Sequence, residues 1–169
     1  MNILMMTNTY LPHVGGVANS VHAFAGALRE AGHRVLVVAP EFEDGNEKHT
    51  GKEEDGVIRL PAIQRFNGSD FSVRLPIPGL LSAELARFQP DIVHAHHPFL
   101  LGDTALRVAA RRDLPLVFTH HTLYERYTHY VPGDSPTIRR FAIRMATEYA
   151  NLCDQVIAPS ESVAHLLKE

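Results

Sequence analysis

Only one cysteine, Cys153, occurs in the 169 residues, and tryptophan is absent. A single thiol excludes an internal disulfide framework and a cysteine-rich zinc site, and it fits a reducing compartment. Basic residues are not in excess: 16 Lys and Arg stand against 19 Asp and Glu, a formal net charge of −3. No bulk positive field is therefore present to hold nucleic acid. No apolar run approaches the ~20 residues that a helix needs to cross a bilayer. The opening Met1-Asn2-Ile3-Leu4-Met5-Met6 has no basic leader and is expected to be a first strand rather than a signal peptide. Internal repeats, low-complexity segments and linkers are also missing, as expected of one domain over residues 1–169.

The composition that remains, 45% hydrophobic and 21% charged, is an ordinary globular balance. Ile3 to Met6 predicts a strand and Thr7 to Gly16 a turn-rich loop. Val17, Val21, Phe24, Ala25 and Leu28 then share one helical face, and Gly32 stops that helix. Arg34 to Ala39 reads as a second buried strand; strand, helix and strand in this order need a right-handed crossover, hence a parallel pair. Glu41 to Gly56 is polar and charged and predicts an exposed loop. Val57 to Leu60 and Phe71 to Leu75 predict short strands, and a helix is expected near Gly79 to Phe88. Asp91 to Ala95, Leu116 to Thr119 and Gln155 to Ala158 predict further strands. Between them stand helices over Leu100 to Arg111 and Thr137 to Leu152, the second with Ile138, Phe141, Ala142, Met145, Tyr149 and Leu152 facing inward. A last helix starts at Ser160 and is still running at Glu169, so a longer parent chain is expected. Apolar strands alternating with amphipathic helices make an α/β fold: a Rossmann-like, doubly wound, mostly parallel sheet with helices on both faces.

Ligands of open parallel sheets sit beyond the carboxyl ends of the strands. The polar segments there are Thr7 to Gly16, His94 to Pro98, Thr119 to Thr122 and Pro159 to Ser162. Gly15-Gly16 at a helix start would let a ligand approach the backbone, where unpaired N–H groups favour an anion. A dinucleotide turn is disfavoured, because Gly-x-Gly-x-x-Gly is absent and the first loop is too long for it. Histidine is abundant, with 11 copies. His94 and His96 share a strand face and His120-His121 end a nearby strand, which raises a metal site; no Asp or Glu accompanies them in either motif, and no metal is expected. His121 is the leading catalytic candidate. It opens a loop dense in hydrogen-bonding groups, Thr122, Tyr124, Glu125, Arg126, Tyr127 and Tyr130, and a neutral imidazole both donates and accepts, which suits sugar hydroxyls.

Taken together, Thr9-Tyr-Leu-Pro-His-Val-Gly-Gly16, Pro90-Asp-Ile-Val-His-Ala-His96 and Ala158-Pro-Ser160 resemble the retaining GT-B glycosyltransferases of family four, in the same order and over nearly the whole chain. Thr119-His-His-Thr-Leu-Tyr-Glu-Arg-Tyr-Thr-His-Tyr130 is similar to the diacylglycerol glucosyltransferases within that family. The resemblance implies the first of two Rossmann-like domains, the acceptor side, with the donor-binding domain absent from this chain. It implies that Gly15, Gly16, Ser160 and Glu161 face the diphosphate of a nucleotide-sugar donor such as UDP-glucose, which is a substrate; no cofactor is implied. His121 would contact the transferred sugar near its anomeric centre. His96, Pro98, His120, Tyr124, Tyr127 and Tyr130 would line the substrate cleft. Transfer would proceed with retention to an acceptor hydroxyl, a lipid such as diacylglycerol among the candidates. Two other readings stay open on the residues alone: a stand-alone nucleotide- or sugar-binding module, and a histidine-rich metal-dependent hydrolase. Arg139, Arg140 and Arg144 on the outer side of the Thr137 to Leu152 helix are expected to meet an anionic membrane surface, placing the protein in the cytoplasm or peripherally at the inner face of the membrane.

Overall fold

Residues 2–6 and 34–40 are apolar on both pleats, and both become central strands covered from each side. The computed structural model describes residues 1–44, 47–49, 56–62, 81–121 and 136–167. Strands β1 (Asn2–Met6), β2 (Arg34–Pro40), β5 (Val57–Leu60), β6 (Ile92–Ala95), β7 (Leu116–Thr119) and β8 (Gln155–Ile157) form one sheet in the order β5-β2-β1-β6-β7-β8. Every pairing in it is parallel. The described helices are α1 (Gly16–Glu30), α2 (Ser82–Phe88), α3 (Leu101–Arg112), α4 (Pro136–Asn151) and α5 (Glu161–Leu166).

Period-two alternation sorts the core into two layers. Leu4, Met6, Leu36, Val38, Ile58, Leu60, Val93, Ala95, Leu116 and Phe118 pack with Leu85 of α2, Leu101, Ala105 and Ala109 of α3 and Tyr149 of α4. Ile3, Met5, Val35, Val37, Ala39 and Val57 pack on the other face with Val21 and Ala25 of α1. Leu4, Met5 and Met6 are fully buried, each contributing about 1.5–3 kcal/mol of transfer free energy. The expected doubly wound α/β architecture is what the chain adopts.

Two expectations are corrected. Within the expected loop at 41–56, residues Phe42–Asp44 (β3) and Glu47–His49 (β4) pair as a small antiparallel hairpin, with Glu43 opposite Lys48. Three-residue polar strands carry too little apolar alternation to be read. Phe141 and Met145 of α4, and Leu152 just past its end, do not face inward: they are 62%, 42% and 62% exposed. Tyr149 is buried as expected, joined by Ala146, with Ala150 and Cys153 packed on the core. Small residues let the helix approach the sheet until the Tyr149 ring meets Phe118 edge-on and its hydroxyl donates to the Gly102 carbonyl at 2.9 Å. Both stripes are apolar at helical spacing, so periodicity alone does not choose between them. The expected strand at 71–75 and the side chain of Ile138 lie outside the described residues.

Gly102, in the first turn of α3, faces the loop after β6 so closely that a β-carbon there would overlap the His97 carbonyl oxygen, whereas nothing lies within 4 Å of a β-carbon added at Gly16. Gly102→Ala should therefore cost at least about 1–3 kcal/mol through overpacking against backbone. Gly16→Ala should leave stability unchanged or slightly raised. Thermal unfolding checks both, at roughly 2–4 °C of midpoint per kcal/mol for a domain of this size; equal midpoints for the two variants would contradict the packing described.

Candidate active site at the carboxyl ends of the strands

A parallel sheet sends all its carboxyl ends to one edge, and the strand order reverses between β1 and β6, the point at which open α/β sheets place their ligands. The loops leaving these two strands are joined by Asn8. Its carboxamide accepts from the Leu101 N–H at 3.0 Å and donates to the Phe99 carbonyl at 3.0 Å, while its own N–H donates to His97 Nδ1 at 3.2 Å. Between those two backbone contacts sits Leu100, a non-glycine residue with φ of 57°. Such a backbone costs on the order of 1–3 kcal/mol and persists where its surroundings over-determine it.

The histidines follow the pleat. His94 and His96 project to the α1 face, as do Thr119 and His121, whereas His120 projects to the other face with Phe118. His94 Nε2 and Thr119 Oγ1 are hydrogen-bonded at 2.7 Å, and His96 Nδ1 and His121 Nε2 at 2.9 Å. Phe24, from the middle of α1, closes the cluster with ring centroids 5.7 Å from His94 and 6.3 Å from His96. Burial, aided by the neighbouring His121, brings His94 down to about 4, and it brings His97 down to about 3. Burial, then the neighbouring His120, brings His121 to about 4, and His96 is held well below the usual imidazole range. All four are neutral at pH 7. They offer hydrogen bonds, not positive charge.

The first loop leads to α1 through Gly15, which is extended at φ −174°, and no acidic residue occupies the first turn of the helix. The first intrahelical bond runs from the Asn19 N–H to the Gly15 carbonyl, so the N–H groups of Gly16, Val17 and Ala18 have no acceptor within the helix. The loop rests on Arg59, a buried residue of β5 whose guanidinium donates to the Leu11 and Pro40 carbonyls and lies 5.3 Å from the Tyr10 ring centre.

The expected site residues divide accordingly. Gly15, Gly16 and His121 lie at the strand-end edge, with His121 half-buried. His96 is 0% exposed and lies beneath His121 rather than on an open wall. His120 and Pro98 are buried as well. Ser160 caps α5, its hydroxyl accepting from the Val163 N–H at 3.3 Å, and Glu161 is exposed in the first turn of that helix. Tyr124, Tyr127 and Tyr130 lie outside the described residues. Among the described residues, no group of three or more His, Cys, Asp or Glu side chains is arranged to hold a metal ion. Sequence reasoning missed Asn8 and Arg59. Asn8 caps a helix 93 positions away, and no local signal marks such a cap.

Comparison with known proteins completes the description. The model of Glycosyltransferase Family 4 matches residues 14–169. Alpha-monoglucosyldiacylglycerol synthase of Streptococcus pneumoniae is 32% identical over 174 aligned positions, covering 100% of this chain and 37% of that protein. GDP-mannose-dependent alpha-mannosyltransferase of Corynebacterium glutamicum is 28% identical, covering 95% of this chain and 38% of that protein. The chain thus spans about two fifths of the length of these relatives. The solved structure of sucrose-phosphate synthase from Thermosynechococcus elongatus superposes with a TM-score of 0.67 at 18% identity, over 98% of this chain and 44% of that one, which shows a shared fold.

The neutral histidines make stability depend on pH. His97 titrates near 6.5 when unfolded and near 3 when folded, so its burial is fully tolerated above pH 6.5 and costs increasingly as pH falls from 6.5 toward 3. His97→Asn keeps an acceptor for the Asn8 N–H and removes the titration. The slope of unfolding free energy between pH 6.5 and 4 should flatten by up to about 1.4 kcal/mol per pH unit. Urea unfolding across that range measures it; an unchanged slope would show that His97 is not buried as a neutral group.

Proposed function

The chain belongs to glycosyltransferase family 4, and on that premise we propose that it is the N-terminal, acceptor-side domain of an enzyme that moves a sugar from a nucleotide donor to a lipid hydroxyl with retention. The observation that carries this reading is the meeting of two unlike features at one sheet edge: a helix start open at Gly16, whose first N–H groups have no acceptor within the helix, and a half-buried neutral imidazole linked to that helix through Phe24 and His96. The first suits a diphosphate, since α1 presents the positive end of its dipole without an acidic neighbour. The second suits sugar hydroxyls. Neither Gly15 nor Gly16 has a positive φ, so their value lies in letting a ligand reach the backbone. Ser160 and Glu161 belong to the same edge in this reading. Glu161 would repel a diphosphate and is better placed against a hydroxyl. The rest of the donor site is assigned to a second domain beyond this chain. A diacylglycerol acceptor is favoured by the name of the streptococcal relative, while GDP-mannose in the name of the other leaves the donor open.

The acceptor reading extends to the membrane. No described helix is long and apolar enough to cross one. Phe141 and Met145 on α4, with Leu152 just past its end, form an exposed apolar stripe, flanked by exposed Arg140 and by Arg144, whose guanidinium lies 3.9 Å from Glu148. The side chain of Arg139 is outside the described residues. An apolar stripe beside basic residues would rest in the headgroup region of an anionic bilayer and bring the cleft to a lipid hydroxyl.

Two outcomes follow. In the full-length enzyme, His121→Ala should lower kcat by about 10²-fold, roughly 3 kcal/mol, with little change in donor affinity; near wild-type turnover would remove His121 from the mechanism. Full-length protein should also co-sediment with phosphatidylserine vesicles at low salt. Arg140→Gln with Arg144→Gln should weaken the salt-sensitive part, and Phe141→Ser with Met145→Ser the salt-resistant part. Protein that stays in the supernatant and glycosylates a soluble acceptor would overturn the lipid reading and leave the transferase class standing.

A further inference from the structure

His96 is completely buried, its ring lying 4.1 Å from His94 and 5.2 Å from His121 between centroids. A residue so enclosed has no direct access to a substrate. It touches a histidine that does reach the edge: His96 Nδ1 stands 2.9 Å from His121 Nε2. Burial keeps both rings neutral, so each carries one N–H and one lone pair, and a single proton lies between them.

Two arrangements satisfy that contact. If His121 donates, His96 must carry its own proton on Nε2. If His96 donates, its Nε2 is a bare lone pair. His96 Nε2 is buried and has no hydrogen-bond partner among the described residues. Orphaned buried N–H groups are rarer in folded proteins than buried acceptors left without a donor. The second arrangement therefore prevails, and it dictates the far side of His121: with Nε2 accepting, the proton of His121 resides on Nδ1. No hydrogen bond engages that Nδ1 among the described residues.

We propose that His96 is a positioning residue that locks His121 in the Nδ1–H tautomer, so that His121 offers the cleft a hydrogen-bond donor and no base. The inference rests on the glycosyltransferase reading for its consequence, though not for its geometry. A donor fixed in this way takes an oxygen of the bound sugar or phosphate as its acceptor. It does not abstract the proton of the incoming hydroxyl, because its basic nitrogen is occupied by His96. The assigned role is thus to orient and stabilise charge developing on oxygen, with proton removal falling to another group.

The test is made on full-length protein labelled with ¹⁵N-histidine, using long-range ¹H–¹⁵N correlation near pH 7, with the His121 signals assigned by their loss in His121→Gln. The expected result is protonation at Nδ1 and not Nε2 in both His96 and His121. A His121 protonated on Nε2, or doubly protonated, would overturn the lock without any variant being needed. His96→Leu should then give His121 a mixture of tautomers and lower kcat about tenfold, as removal of an orienting partner does, with donor KM nearly unchanged. His96→Asn, whose amide places an N–H at the Nδ1 position, should restore most of the loss. A Leu variant with an unmixed tautomer and full kcat would also refute the proposal. If the full-length protein transfers no sugar to any acceptor, the functional reading fails while the spectra still decide the tautomer.

Discussion

The carboxamide of Asn8 is the contact on which the strand-end edge depends. β1 and β6 run in register up to Met6 and Ala95, and beyond them the two chains part. Asn8 spans that opening. By holding the Phe99 carbonyl and the Leu101 N–H at once, it fixes the backbone on either side of Leu100, which keeps a φ that a leucine rarely adopts. Its backbone N–H meanwhile reaches His97. Gly102 then admits the loop against the first turn of α3, and Tyr149 ties α4 to the same point through the Gly102 carbonyl. One short side chain thus couples the first loop, the loop after β6 and two helices.

Burial of the histidines is the second constraint, and it follows from the pleat. Alternation places His94, His96, Thr119 and His121 on the face covered by α1, where Phe24 packs against His94 and His96. Desolvation then removes the charged form of each imidazole. A cluster of this kind would repel itself if protonated, yet as neutral rings it stacks and exchanges hydrogen bonds. The same burial that costs stability in acid makes the tautomers of His96 and His121 well defined at neutral pH.

Much of this was legible in the sequence because it depends on period and on local signals. Long apolar runs became the central strands, and Gly32 ended α1 in a positive φ. The pairing of His94 with His96 on one face needed only the alternation of a strand. What was not legible depended on long-range choices. The inward face of α4 was read only in part: Tyr149 is buried as expected, but Phe141, Met145 and Leu152 repeat as regularly as the inward Ala146 and Ala150; which stripe turns inward is decided by how closely the sheet lets the helix approach. The same holds for Asn8, whose partners lie some 90 positions away, and for Arg59, a cation inside a strand that serves the first loop.

The distribution of charge says how much of the proposed reaction this domain would carry. A departing nucleoside diphosphate accumulates negative charge that must be met by donors and cations. Among the described residues, the groups at the strand ends include neutral imidazoles, an amide, hydroxyls and the exposed carboxylate of Glu161. Arg59, the buried cation nearby, is committed to the Leu11 and Pro40 carbonyls and the Tyr10 ring. The start of α1 supplies the equivalent of about half a positive charge. That suffices to align an anion and falls short of neutralising a diphosphate. In the proposed reading the domain would orient the sugar and the acceptor through hydrogen bonds of fixed direction, and the larger share of leaving-group stabilisation would fall to groups other than those described at these strand ends.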